Sequence, residues 1–217
     1  MFIPESGPRD DVGVLTISQD DPRYPAPLRT RLNGRAPASL AALGNPDLLR
    51  RRTLALFCSV RCPGDLILQA HDLAQNLLRP DLTVVSGFHT PVERECLTVL
   101  LRGTQPVIIC PARSIERMRI RKKYQGPLQE GHLLFLSPFP EKKRRIASDT
   151  SLARNRFVAA LADAVLVVHA EPGGKTEGLC QEVLTWRKPL YALAGDANAH
   201  LLALGAKALG ANEAHTL

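Results

Sequence analysis

From Thr53 onward, the chain alternates short apolar runs with longer amphipathic segments. Six apolar runs predict buried strands, at residues 53–58, 82–87, 106–110, 132–137, 164–170 and 189–195. Helical patterns lie between or after them, at about 65–78, 91–103, 148–162, 175–187 and 197–209. Continuous apolar strands separated by helices are typical of a parallel sheet covered on both faces. We therefore predict an α/β fold with a doubly wound, mainly parallel sheet of about six or more strands.

Residues 1–50 do not follow this alternation. The segment is rich in proline and contains only short helical pieces, as in "DDPRYPAPLRTRLNGRAPAS". We predict a small N-terminal helical or extended cap at 1–50, packed on a domain at 51–217.

Positive charge is concentrated in one part of the chain. The 217 residues carry a formal net charge of +7, and residues 113–145 alone hold ten basic and three acidic side chains. Such a cluster attracts phosphates and nucleic acid, although a pair of solvated basic loops has the same composition. Because aromatic residues make up only 5% of the chain, base stacking cannot dominate binding along a long surface.

The remaining composition points to a cytoplasmic protein. There is no apolar run long enough for a membrane span, and the start "MFIPESGPRDD" does not have the pattern of a signal peptide. The five cysteines are scattered, which favours reduced thiols. Near strand ends lie Cys58, Cys62, His89, Cys110 and His169, but their spacing matches no metal motif. We predict neither a metal nor a cofactor.

The stretch "EPGGKTEGLCQE" at 171–182 contains Gly-Lys-Thr, with which a Walker A loop ends. That loop requires a first glycine five positions before the second one, and His169 stands there. The spacing therefore excludes a Walker A loop. Gly173 and Gly174 still allow a tight turn at a helix start, where free N–H groups favour anions. Lys175 and Thr176 add a charge and a hydroxyl, and a turn without a ligand remains the alternative.

Two other segments contain phosphate-binding residue types. "CSVRCPGDL" leads from the first strand of the alternating region into a helix and offers Ser59 and Arg61. The triplet Arg154-Asn155-Arg156 precedes an apolar helical stretch. Basic residues at a helix start oppose the helix dipole, and a bound anion would remove that conflict.

An enzymatic interpretation rests on "SGFHTPVEREC" at 86–96. His89 and Glu93 are the residue types of an acid–base pair. Carboxylates in a first helical turn also stabilise the helix dipole, so Glu93 and Glu95 have a structural interpretation as well.

Taken together, these segments resemble the DprA/Smf DNA-processing proteins, whose Rossmann-like domain belongs to the SLOG superfamily. The similarity covers about residues 11–208. It is carried by "DDPRYPAPL", "LAALGN", "CSVR", "VVSGF", "EGHLLFLSPFP", "ARNRFVAALADAVLVVHA", "KPLYALAG" and "LLALGAKAL".

The resemblance implies a divergent, single-domain member that binds single-stranded DNA through phosphate contacts. It also implies a possible homodimer and RecA as a possible partner. Departures from the family pattern include "HTPVEREC", "ARSIERMRI" and "PGGKTEG". The implied phosphate-binding positions are Ser59, Arg61, Ser86, Gly87, Arg154, Asn155, Arg156, Gly173, Gly174, Lys175 and Thr176.

A second resemblance is to the LOG phosphoribohydrolases, which cleave nucleoside monophosphates. "PGGKT" partly matches their Pro-Gly-Gly-x-Gly-Thr-x-x-Glu motif, without the glycine before Thr176. That alternative implies an enzyme with Glu93 or Glu177 as the acid–base residue and His89 as its helper.

Overall fold

A computed structural model describes residues 13–217. The first twelve residues of the predicted cap lie outside the described part of the chain. Within residues 13–217, no helix is both long and apolar enough to cross a membrane.

The described residues form one mixed sheet of nine strands, in the order β1-β2-β6-β5-β4-β3-β7-β8-β9. Strands β3 to β9 pair in parallel, whereas β1 and β2 are antiparallel to their neighbours. The strands are β1 Leu15–Ser18, β2 Ser39–Gly44, β3 Arg52–Phe57, β4 Leu82–Ser86, β5 Val107–Ile109, β6 Leu133–Ser137, β7 Ala164–Val167, β8 Leu190–Leu193 and β9 Lys207–Leu209. This arrangement confirms the predicted doubly wound α/β fold.

Helices cover both faces of the sheet. They are α1 Ala26–Leu32, α2 Gly64–Asn76, α3 Pro91–Leu100, α4 Lys122–Gln129, α5 Ser148–Leu161, α6 Lys175–Thr185 and α7 Ala199–Ala203, with 3-10 helices at Pro46–Arg50, Asp196–Asn198 and Ala211–Thr216. Helices α1, α5, α6 and α7 pack on one face, and α2, α3 and α4 on the other. Because side chains alternate along a strand, β3 sends Ala55 and Phe57 to the first core, and Leu54 and Leu56 to the second.

The C-terminal part differs from its prediction. A helix was expected over 197–209, but α7 ends at Ala203 and residues 207–209 form the edge strand β9. Gly205 has φ +111°, a conformation that ends the helix and that glycine adopts without strain. The Ala- and Leu-rich composition favours a helix, and pairing of β9 with β8 overrides that preference.

The N-terminal segment is integrated into the sheet. β2 pairs with β1 on one side and with β6 on the other. Arg31 of α1 donates hydrogen bonds to the carbonyls of Ala160 and Ala162, at the end of α5. The division into a cap at 1–50 and a domain at 51–217 stays a prediction.

Candidate functional site

A cavity of about 530 Å³ opens at the carboxyl ends of β3 and β7. The connections leave the sheet in opposite directions at this point, since β4 lies on one side of β3 and β7 on the other. Ligands of open α/β sheets bind at such a switch point. We call this space the switch-point cavity. Its polar lining includes Ser59, Arg61, His89, Arg154, Asn155, Gly174, Lys175 and Thr176.

Ser59 joins the two loops that flank the cavity. Its backbone N–H donates to the carbonyl of His169 at 2.8 Å, and its hydroxyl accepts from the backbone N–H of Glu171 at 3.0 Å. The same hydroxyl donates to Oγ1 of Thr176 at 3.2 Å. Ser59 therefore fixes the loop after β3 to the start of α6, and this leaves neighbouring Arg61 exposed at the rim.

The glycine turn before α6 differs in detail from its prediction. Gly173 has φ +71°, a left-handed conformation that glycine adopts without strain, as expected for a tight turn. However, its N–H donates to the carboxylate of Glu177, and the N–H of Gly174 donates to the carbonyl of Glu171 at 2.9 Å. The two glycine N–H groups are thus already bonded within the turn, and they are not the donors that face an anion.

The available donors lie one residue further on. Within residues 13–217, the backbone N–H groups of Lys175, Thr176 and Glu177 have no hydrogen-bond acceptor. Gly174, at the N-cap, has no side chain to supply one. The ammonium group of Lys175 lies 2.6 Å from Oγ of Ser148, across the cavity. The start of α6 therefore presents a partial positive charge and a lysine to the same space.

Arg154 forms the inner wall of the cavity and is only 4% exposed. Its guanidinium donates to the carbonyl of Cys110 at 3.1 Å and to the side chain of Asn155 at 2.7 Å. Burial lowers the pKa of Arg154, while the charge of Glu93 acts in the opposite direction. A Cβ on Gly87 would stand 1.3 Å from its guanidinium nitrogen. Gly87, directly after β4, thus leaves the space that this arginine occupies.

Arg156 lies elsewhere, which corrects the prediction that both arginines face the ligand. It donates to the carboxylate of Glu182 on α6 and does not line the cavity. Two positions along an α-helix correspond to about 200°, so Arg154 and Arg156 point to different sides. The helix also begins at Ser148. The triplet is therefore inside α5, and the predicted conflict with the helix dipole does not arise.

Ser86 is fully buried and outside the cavity. Its hydroxyl accepts from the backbone N–H of Phe88 at 3.2 Å, which shapes the turn after β4. Phe88 itself has φ +46°, a left-handed conformation. Ser86 therefore supports the loop without touching the cavity, whereas the adjacent Gly87 acts by accommodating Arg154.

Glu93 and His89 do not form the predicted acid–base pair through their side chains. Glu93 is 5% exposed, and its carboxylate accepts from three backbone N–H groups: those of Cys58 at 3.0 Å, His89 at 2.8 Å and Thr90 at 3.3 Å. Thr90 completes a capping box at the start of α3. Glu93 therefore holds the loops after β3 and β4 together.

This bracing function was missed from the sequence, although a signal for it exists. Thr90-Pro91-Val92-Glu93 has the Thr-x-x-Glu spacing of a capping box, with proline at the first helical position. What the sequence does not reveal is that Glu93 also accepts the backbone N–H of Cys58, in the loop after β3.

The cysteines and histidines near the strand ends, which match no metal motif in the sequence, make separate contacts in the structure. Among residues 13–217, no three His, Cys, Asp or Glu side chains are grouped as metal ligands. The neighbouring thiol of Cys62, together with burial, raises the pKa of Cys58, whereas the thiol of Cys58 lowers the pKa of Cys62. His169 instead contacts Asn198 at 3.1 Å, and burial raises the pKa of Cys110 to about 12.

With this geometry established, sequence comparison decides the family. The model of the DNA recombination-mediator protein A family matches residues 15–217. The chain belongs to that family. No curated protein matches the sequence at a significant level.

Solved structures agree on the fold. DNA processing protein A (DprA) from Streptococcus pneumoniae is 22% identical with a TM-score of 0.78, over 94% of this chain and 73% of that one. DNA processing protein A from Helicobacter pylori, described with a unique single-stranded DNA binding mode, is 21% identical with a TM-score of 0.72, over 90% of each chain. The molybdenum cofactor binding protein from Rippkaea orientalis is 12% identical with a TM-score of 0.54, over 77% of this chain and 94% of that one. At these identities the likeness concerns the fold.

Proposed function

We propose that this DprA family member binds single-stranded nucleic acid through its phosphates at the switch-point cavity. The observation that carries this proposal is the convergence on one space of hydrogen-bond donors that no carboxylate occupies. The N–H groups of Lys175, Thr176 and Glu177, the Lys175 ammonium and the guanidinium of Arg61 have no carboxylate partner within residues 13–217. Phosphate is the group that such a set of donors binds best.

The surroundings of the cavity suit an extended polyanion. The loops after β5 and β6, which contain most of the basic residues of 113–145, leave the same edge of the sheet. Val60 and Leu152 line the rim with exposed fractions of 70% and 41%, and such apolar surfaces are suited to contact bases. The H. pylori family member, described as binding single-stranded DNA, supports the same ligand class.

The test is a salt titration with a fluorescently labelled 20-nucleotide oligo-dT, followed by anisotropy. We expect the affinity to fall steeply with salt, because counterions are released from the neutralised phosphates. Arg61→Ala should weaken binding about three- to tenfold and lower the salt slope by about one. Arg35→Ala, which removes an exposed arginine that does not line the switch-point cavity, is the matched control. Binding that is absent, or insensitive to both salt and Arg61→Ala, would refute the proposal.

The geometry does not favour the nucleotide-cleaving alternative. Glu93 lines the switch-point cavity, but its carboxylate accepts three backbone N–H groups, and the carboxylate of Glu177 accepts that of Gly173. Both carboxylates are therefore used to fix loops. We therefore expect no free base after incubation with nucleoside monophosphates. Homodimerisation, RecA as a partner and a cytoplasmic location stay predictions.

A further inference from the structure

A second cavity, of about 560 Å³, lies beside the switch-point cavity on the same edge of the sheet. It is formed between the start of α3, the loop from β5 to α4, and α4 itself. His89 and Arg154 line both spaces. We call it the arginine cavity. The proposed function uses the basic loop after β5 only as a charged surface around the switch-point cavity, and it assigns no ligand to this second space.

The charges of this cavity are unbalanced. Its lining includes five basic residues in addition to Arg154, and only one carboxylate, that of Glu95; the five are Arg94, Arg113, Arg119, Arg121 and Lys123. In the described part of the chain, none of these five forms a salt bridge. The nearby Arg117 and Arg144, in contrast, both pair with Glu141, at 3.4 and 3.1 Å. So many uncompensated cations around one concave space strongly favour an anion.

The floor of the cavity is apolar. Met118, Ile120 and Tyr124 are partly buried in its lining. Beneath them, Phe135 meets Tyr124 edge to face, with ring centroids 5.3 Å apart. Inorganic phosphate alone makes no use of such a floor, whereas a planar base does. The volume is also within the range of small-molecule sites.

We propose that the arginine cavity is a nucleoside-phosphate site. The base lies against Met118 and Ile120, and the phosphates face Arg94 and Arg121. A free nucleotide and a nucleotide within a bound strand share this chemistry. The site is distinct from the switch-point cavity, and its occupation does not depend on the function proposed there.

Calorimetric titration with dATP and with inorganic tripolyphosphate tests the proposal. The double variant Arg94→Ala/Arg121→Ala should weaken dATP binding at least about tenfold, because two charged phosphate contacts are lost. Arg35→Ala/Arg102→Ala removes the same charge from exposed positions outside both cavities and should change the affinity less than twofold. The loss caused by Arg94→Ala/Arg121→Ala should be the same in an Arg61→Ala background as in the wild type, which separates this site from the switch-point cavity.

Ile120→Ala tests the base. We expect it to weaken dATP binding about three- to tenfold while tripolyphosphate binding is retained, since only the apolar contact is reduced. Retained tripolyphosphate binding also shows that the variant is folded. Equal effects of the two double variants, or equal affinities for dATP and tripolyphosphate with no effect of Ile120→Ala, would overturn the proposal.

Competition then identifies the source of the nucleotide. Displacement of dATP by a 5′-phosphorylated oligo-dT supports the site as part of a strand-binding surface. Simultaneous binding of both ligands supports a site for free nucleotides, and either result is consistent with the assigned chemistry.

Discussion

Two helices, α3 and α6, begin at the same edge of the sheet but differ in whether side chains cap the N–H groups of their first turns. At the start of α3, the Thr90 hydroxyl and the buried Glu93 carboxylate occupy the N–H groups. At the start of α6, Gly174 provides no cap and three N–H groups remain without an acceptor in the described residues. Capping stabilises a helix by about 0.5–2 kcal/mol. We infer that α3 uses its first turn for stability, whereas α6 leaves its own available to a ligand.

The largest effect should come from removing the carboxylate at α3. Glu93→Ala leaves three backbone N–H groups without their acceptor, and the two buried ones, those of Cys58 and Thr90, each cost about 1–3 kcal/mol. We expect a loss of about 3 kcal/mol or more in the free energy of unfolding, measured with urea. The control is Glu95→Ala, which removes an exposed carboxylate two residues away and should cost less than about 0.5 kcal/mol. Equal losses would contradict the bracing function of Glu93.

The C-terminal end of α5 is also hydrogen-bonded by a side chain, that of Lys188, and this contact makes stability depend on pH. Lys188 is 4% exposed and donates to the carbonyls of Ala159, Ala160 and Ala162 at the end of α5. Burial, followed by the charge of Arg31, lowers the pKa of Lys188 to about 7. The unfolded chain then binds more protons than the folded one between about pH 7 and 10. Stability contributed by this group therefore rises with pH in that window, by up to about 1.4 kcal/mol per pH unit.

The measurement is the difference in unfolding free energy between the wild type and Lys188→Met, from pH 6 to pH 10. Below pH 7 the difference should be flat, and above it the wild type should gain relative to the variant. A difference that stays constant over the whole range would show that Lys188 is charged in both states.

Lys175→Glu reverses the charge at the uncapped start of α6. A carboxylate in the first turn interacts favourably with the helix dipole, by about 0.3–1 kcal/mol. The same carboxylate repels phosphate, so we expect oligo-dT affinity to fall about tenfold or more without a loss of stability. Thermal unfolding and anisotropy on the same sample measure the two effects. A loss of stability that accompanies the loss of affinity would contradict the inference that the first turn of α6, unlike that of α3, is not needed for stability.

The smallest effect should be that of Arg156→Ala. Its partly exposed ion pair with Glu182 contributes about 0.2–1 kcal/mol to stability. Because Arg156 does not line the switch-point cavity, oligo-dT affinity should change less than twofold. A loss as large as that of Arg61→Ala would place Arg156 back among the ligand contacts.

The sequence allowed prediction of features that depend on local pattern. Apolar runs identified β3 to β8, and Pro91 marked the start of α3, because both signals are short-range. The loops at the carboxyl ends of the parallel strands were found for the same reason, since strand order along the chain implies where a ligand binds.

Features that depend on tertiary contacts were not predicted. β9 has the composition of a helix, and only its pairing with β8 makes it a strand. Arg154 and Arg156 look equivalent in the triplet, yet one fills the space beside Gly87 and the other pairs with Glu182. The bonds of Glu177 to Gly173 and of Glu93 to Cys58 also arise from the folded loops, and the capping-box spacing at Thr90 indicates only the local bonds of Glu93.

The place of β2 in the sheet has a consequence for synthesis on the ribosome. Ala41 pairs with Ser137, about ninety-six residues later in the chain. At roughly 5–20 residues per second, β2 waits about 5–20 s for its partner. During that interval the β1–β2 pair presents an open edge, which is a template for pairing with other chains. The nascent chain is therefore most vulnerable to aggregation before residue 137 emerges, and slow translation of residues 45–137 should lower the yield of folded protein.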